Sequence, residues 1–66
     1  MPRDVVDALG RVQGLLNVFK NMRPSRRTNY ILWITAAKKD DVRRRRVEGM
    51  VDQVKTYGQR HNMIAG

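Results

Sequence analysis

Apolar residues recur along this chain at helical spacing. Val5, Leu9, Val12, Leu16 and Phe19 follow one another in alternating steps of four and three, with Ala8, Leu15 and Met22 beside them. That rhythm keeps one face of an α-helix apolar, and nowhere does the chain alternate at the two-residue period of a strand. Pro2 suits a first helical turn, and Asp4 and Asp7 lie near its electropositive end. Gly10 and Gly14 each cost about 1 kcal/mol relative to Ala inside a helix. Two short helices, over about 3–9 and 13–21, are therefore expected in place of one rigid rod.

The segment NMRPSRR breaks the pattern. Pro24 disfavours helical geometry at Arg23 and is itself well placed to open the next helix, with Ser25 as an alternative cap. That helix, over about 24–38, places Tyr30, Trp33, Ile34 and Ala37 on one face, Ile31 beside it, and Leu32 and Ala36 nearly opposite. A helix apolar around most of its circumference belongs in an interior, so it is expected to be the central helix. After a very short loop a last helix over about 41–57 starts on Asp40 or Asp41, which favour a helix N-terminus. Val47, Met50, Val51 and Val54 form its stripe, Tyr57 extends it, and Gly58 is expected as its C-cap. The reading is an all-α bundle of three to four helices, a single domain over 1–58 with a frayed tail at 59–66.

Length and composition narrow what such a bundle can do. A 66-residue chain buries only about 60% of the surface its unfolded form exposes, so tight packing or self-association must hold it. Without cysteine there are no disulfides, thiolate metal sites or Cys nucleophiles. No apolar run reaches the roughly 18 residues of a membrane span. The first residues carry acids and lack the apolar core of a secretory signal, so a cytoplasmic location is expected. The formal charge of +8 is uneven: residues 23–46 hold nine Lys or Arg against Asp40 and Asp41. Such asymmetry favours encounter with anionic partners.

The stretch PSRRTNYILWITAAKKDDVRRRRV carries a pattern of Pro-Ser, basic residues, an aromatic, Trp-Ile, Ala-Lys and an acid followed by an arginine run. The positions are Pro24, Ser25, Arg27, Tyr30, Trp33, Ile34, Ala37, Lys38, Asp41, Arg43, Arg45, Arg46 and Val47, with Pro2, Asp4, Val5, Ala8, Leu9 and Phe19 upstream. This resembles the C-terminal helical domain of the YdeI/OmpD-associated, or bacteriocin-protection, family over about residues 2–57. The departures are Val42 in place of the usual Thr, and Arg23 where a small capping residue is common. Longer members carry a further N-terminal domain that this sequence does not include. The resemblance implies an all-helical fold, a role in protection against cationic peptides or bacteriocins, association with outer-membrane proteins, and no established reaction.

Four successive arginines on a helix diverge by about 100° each and cannot share a face. Arg43 falls on the apolar side of the last helix and Arg46 at its border. Both are expected to lay their stems on the core, stacking on Trp33 or Tyr30 and pairing with a carboxylate such as Asp4 or Asp7. Tyr30, Trp33, Ile34, Val47, Met50, Val51 and Val54 complete the expected structural set. Arg44 and Arg45, with Lys38, Lys39, Arg26 and Arg27, are the candidate contacts to anions or nucleic acid. No catalytic constellation emerges. Ser25 has no His partner, Asp40 and Asp41 diverge, and the single His61 lacks neighbours at metal-ligand spacing. No metal, cofactor or small-molecule substrate is expected. The chain reads as a non-enzymatic binding module whose partner is another protein or a second copy. Non-specific phosphate-backbone binding to nucleic acid is the alternative, and an anionic membrane surface ranks third. The protein-binding reading expects an exposed apolar patch, at Leu32 or on the Val12/Leu15 flank.

Overall fold

The computed structural model describes residues 1–61 and contains four helices there and no strand: α1 Arg3–Gly10, α2 Leu15–Lys20, α3 Pro24–Thr35 and α4 Asp40–Arg60. The protein is all-α. The expected tail lies largely at residues 62–66, outside the described residues, while Gln59 and Arg60 continue α4. Gly58 is therefore not a C-cap; it is a buried position within the last turns of that helix.

The first two helices are separated where the glycines stand. Gly14 adopts φ 81°, a left-handed conformation that costs an L-residue with a side chain about 1–2 kcal/mol. This reversal re-phases the apolar stripe. Instead of continuing through Val12 and Leu16, which are half-buried, the core takes Leu15, Val18 and Phe19 from α2 and Met22 just beyond it. Their spacing of three, four and seven from Leu15 is the face of a new helix, started afresh after the turn. Leu15, expected as an exposed flank, is fully buried.

The interior consists of Val5 and Leu9 from α1, the four α2-side residues, Ile34 from α3, and Val47, Met50 and Val54 from α4. Tyr30, Ile31, Val51 and Tyr57 pack against it while remaining partly exposed. The central helix is α4, which packs on each of α1, α2 and α3. At 21 residues and about 1.5 Å per residue it runs nearly the full 34 Å length of the molecule. This corrects the expectation that α3 is central. α3 buries only Ile34 completely, and its Leu32 and Trp33 are 61% and 41% exposed. Apolar residues nearly all round that helix thus mean an open outer face, not an interior.

α3 and α4 are antiparallel, as their four-residue connection requires. Tyr30 Oη donates to Gln53 Oε1 at 2.7 Å, and the Trp33 ring edge faces Gly49, where an added Cβ would meet it at 3.7 Å. Arg26 lies over the Tyr57 ring with its guanidinium carbon 5.8 Å from the centroid. Descending along α3 therefore means ascending along α4.

Candidate functional site

The antiparallel register separates the six basic residues nominated from sequence. Lys38 and Lys39 sit in the α3–α4 connection, and Arg44 and Arg45 one turn into α4. Arg26 and Arg27 stand at the opposite end of α3, beside the second half of α4. Arg44 and Tyr57, the residue that Arg26 covers, are 13 positions apart on one helix, about 20 Å. These cations do not form one patch.

At the connection end the arginines are partly consumed by structure. Arg43 Nε donates to Asp4 Oδ2 at 2.7 Å and its Nη2 to Asp4 Oδ1 at 3.1 Å, a two-pronged bond that ties α1 to α4. Asp4 Oδ1 also accepts the Val5 N–H at 3.1 Å, in the first turn of α1. The Arg43 hydrogen bond lowers the Asp4 carboxyl pKa, opposed by some desolvation, and Asp4 in turn raises that of Arg43. Arg46 Nη1 donates to the Trp33 carbonyl at 2.7 Å, and its guanidinium lies 5.5 Å from the Trp33 ring centroid. That carbonyl has no i+4 backbone donor, because the Ala37 N–H turns to Ile34 instead. Arg46 thus serves as a side-chain cap for the C-terminus of α3. Trp33, expected in the core, is instead held at the rim between Arg46 and Gly49.

Asp40 and Asp41 occupy the first turn of α4 without a side-chain capping bond, and the N-cap residue is Lys39. Their contribution there is the favourable placement of negative charge at a helix N-terminus. Arg44 is exposed and lines a cleft of about 770 Å³ between α1 and α4. That cleft also holds Arg3, Arg11 and Arg43, against Asp4, Asp7, Asp40 and Glu48. Its charges cancel, so it has no excess attraction for an anion.

The other end differs. A cleft of about 670 Å³ lies between the start of α3 and the last turns of α4. Its cations are Arg23, Arg26 and Arg60, its aromatic wall is Tyr30, Tyr57 and His61, and among the described residues Asp52 is its sole carboxylate. The Tyr57 and His61 ring centroids are 4.2 Å apart. None of the three arginines forms an ion pair among the described residues, where Asp4–Arg43 is the one salt bridge. Arg27 is partly buried beside this end, and its Nε is enclosed without an acceptor. Arg23, Arg60, Tyr57 and His61 were not nominated from sequence as anion contacts. The short connection was the available signal, since a hairpin folded there brings positions 23–26 against 57–60.

Among the described residues no His, Asp or Glu cluster is suited to a metal ion, and no helix is long and apolar enough to cross a membrane. No curated protein and no solved structure matches the chain. The model of the family described as "Bacteriocin-protection, YdeI or OmpD-Associated" matches residues 1–63. The upstream Asp4 and the arginine run that suggested the resemblance are joined in the fold by the Asp4–Arg43 bridge. With nearly the whole sequence covered, the chain belongs to the bacteriocin-protection, YdeI or OmpD-associated family.

Proposed function

We propose that this domain works by association, not by catalysis, and that it docks an acidic partner protein on the outer face of α3. The observation that carries the reading is the exposure of Leu32 and Trp33, at 61% and 41%, with exposed Ala36 beside them. A large apolar pair left open on a well-packed domain is the usual anchor of a protein contact. The formal charge of +8 opposes docking a second copy and favours a partner whose rim is acidic. The family's description, which names protection and association with OmpD, supports a role fulfilled through another protein. Base reading in a DNA groove is less well supported, because this face offers Leu32 and Trp33 in place of hydrogen-bonding side chains.

A photo-crosslinking residue at position 32 tests the reading in cells producing the chain, with one at exposed Asn17 as control. A discrete adduct to one acidic protein is expected at 32 alone, and Trp33→Asp is expected to weaken that association at least tenfold in vitro. Adducts that are absent, or the same at both positions, would remove the reading. Binding to duplex DNA that is steeply salt-dependent and indifferent to Trp33→Asp would favour the nucleic-acid alternative.

A further inference from the structure

The cleft between the start of α3 and the end of α4 has no role in the docking face just described. Three features characterise it, and the first and the last set it apart from the charge-balanced cleft between α1 and α4. Among the described residues it brings three guanidiniums to one carboxylate, an excess of two positive charges. It does so from two helices, with Arg23 and Arg26 three residues apart across the start of α3 and Arg60 facing them from α4. Its floor also supplies hydroxyl and ring surfaces: Thr56, Tyr30 held by Gln53, and Tyr57 beneath Arg26.

Arg43 has its ion-pair partner in Asp4, whereas these three exposed arginines have none among the described residues. Like charges converging on a concave surface repel one another, and among the described residues lining this cleft only Asp52 offsets them. An anion with several acceptor oxygens relieves that repulsion. A single carboxylate satisfies one guanidinium fork, whereas a phosphate dianion presents three oxygens and matches an excess of two charges. The ring under Arg26 limits the freedom of that guanidinium before any ligand arrives, which lowers the entropy lost on binding.

We infer that the α3–α4 cleft is a binding site for a phosphate monoester dianion, gripped by Arg23, Arg26 and Arg60. The chemistry is shared by a free phosphate ester, a terminal phosphate on a nucleic acid and a phosphatidate headgroup. The site is independent of the Leu32–Trp33 face, which lies toward the opposite end of α3.

The test is an NMR titration of the full chain with inorganic phosphate in low-salt chloride buffer, following the arginine Nε–H signals. Saturable shifts are expected for Arg23, Arg26 and Arg60. Arg26→Gln/Arg60→Gln is expected to weaken binding at least tenfold, and Arg44→Gln/Arg45→Gln less than twofold. Both pairs are exposed, and unchanged circular dichroism establishes that each variant is folded. Arg23→Gln alone is expected to weaken binding by a smaller factor. Uniform shifts across all arginines, no saturation, or equal losses in the two double variants would overturn the assignment. Phosphatidate vesicles and a 5′-phosphorylated oligonucleotide, run alongside, distinguish the sources. A carrier whose binding depends on Arg26 and Arg60 supplies the phosphate; if every carrier binds both forms alike, general charge attraction is sufficient and the site is refuted.

Discussion

Two arginines in this fold have opposite energetic signs. Arg46 closes an orphan carbonyl at the end of α3 and covers Trp33. Replacing it with Met keeps some apolar stem but removes the donor, so Arg46→Met is expected to cost roughly 1 kcal/mol, read as a lower midpoint in urea. Arg27 has a buried Nε with no acceptor. Arg27→Met deletes that unmet donor and is expected to be neutral or stabilising by up to about 1 kcal/mol in the same assay. A loss in Arg27→Met equal to that of Arg46→Met would show that the Nε is satisfied in solution. Asp4 gives a pH signature instead. Its folded-state pKa lies below the ordinary 3.8, chiefly through the Arg43 hydrogen bond. The stabilisation is therefore complete above that ordinary value and is lost as pH falls through the lowered one. Asp4→Asn is expected to reduce Tm at pH 7, with the gap to wild type closing in strong acid. A gap that persists there would assign the loss to packing, not to charge. The Asp4–Arg43 pairing was among the options legible in the sequence, because Arg43 falls on the apolar side of its helix. The Arg46 cap was not, since it depends on which carbonyl of α3 is left without a backbone donor.

At the scale of elements, two glycines define where the helices stop and how closely they meet. Gly14 turns the chain at φ 81°, where a Cβ is strained, so Gly14→Ala is expected to destabilise by roughly 1 kcal/mol or more. Gly49 is ordinary helix, and its new Cβ would make a normal contact with Trp33 at 3.7 Å. Gly49→Ala is expected to stabilise by about 0.5–1 kcal/mol through helix propensity, without disturbing the α3–α4 seam. Thermal melts of the two variants should move in opposite directions; a shared direction would mean that the Gly14 turn or the Gly49 contact is absent in solution. The break near Gly10–Gly14 was visible in the sequence from the cost of two glycines. The buried face of α2 was not, because a turn of unknown dihedral resets the phase and makes Leu15, not Leu16, the inward residue. α3 misled for a different reason. Periodicity records which sides are apolar but not how many neighbours exist to cover them, and here α4 takes the central position.

At the scale of the molecule, long-range repulsion competes with the one ion pair found among the described residues. The charge of +8 is spread over a body of 34 × 23 × 17 Å, larger than the roughly 10 Å over which 0.1 M salt screens. The Asp4–Arg43 contact, at 2.7 Å, is far shorter than that length and is screened much less. Raising NaCl from about 10 to 150 mM should therefore relieve more repulsion than attraction, and Tm is expected to rise. A fall would mean that local pairs outweigh the net charge. The sequence showed the charge but not its partition, because the division into a balanced cleft and a cationic one exists only after α3 folds back on α4. That partition makes stability a probe of the proposed phosphate site. Phosphate is excluded from protein surfaces in general and raises stability without a site, so comparison with the variant carries the information. At ten times its dissociation constant, a bound anion adds about 1.4 kcal/mol, equivalent to roughly 5–10 °C for a domain of this size. Wild type should gain that increment over Arg26→Gln/Arg60→Gln when phosphate replaces chloride at equal ionic strength. Equal gains in both proteins would mean that the cleft attracts phosphate no more than the rest of the surface does.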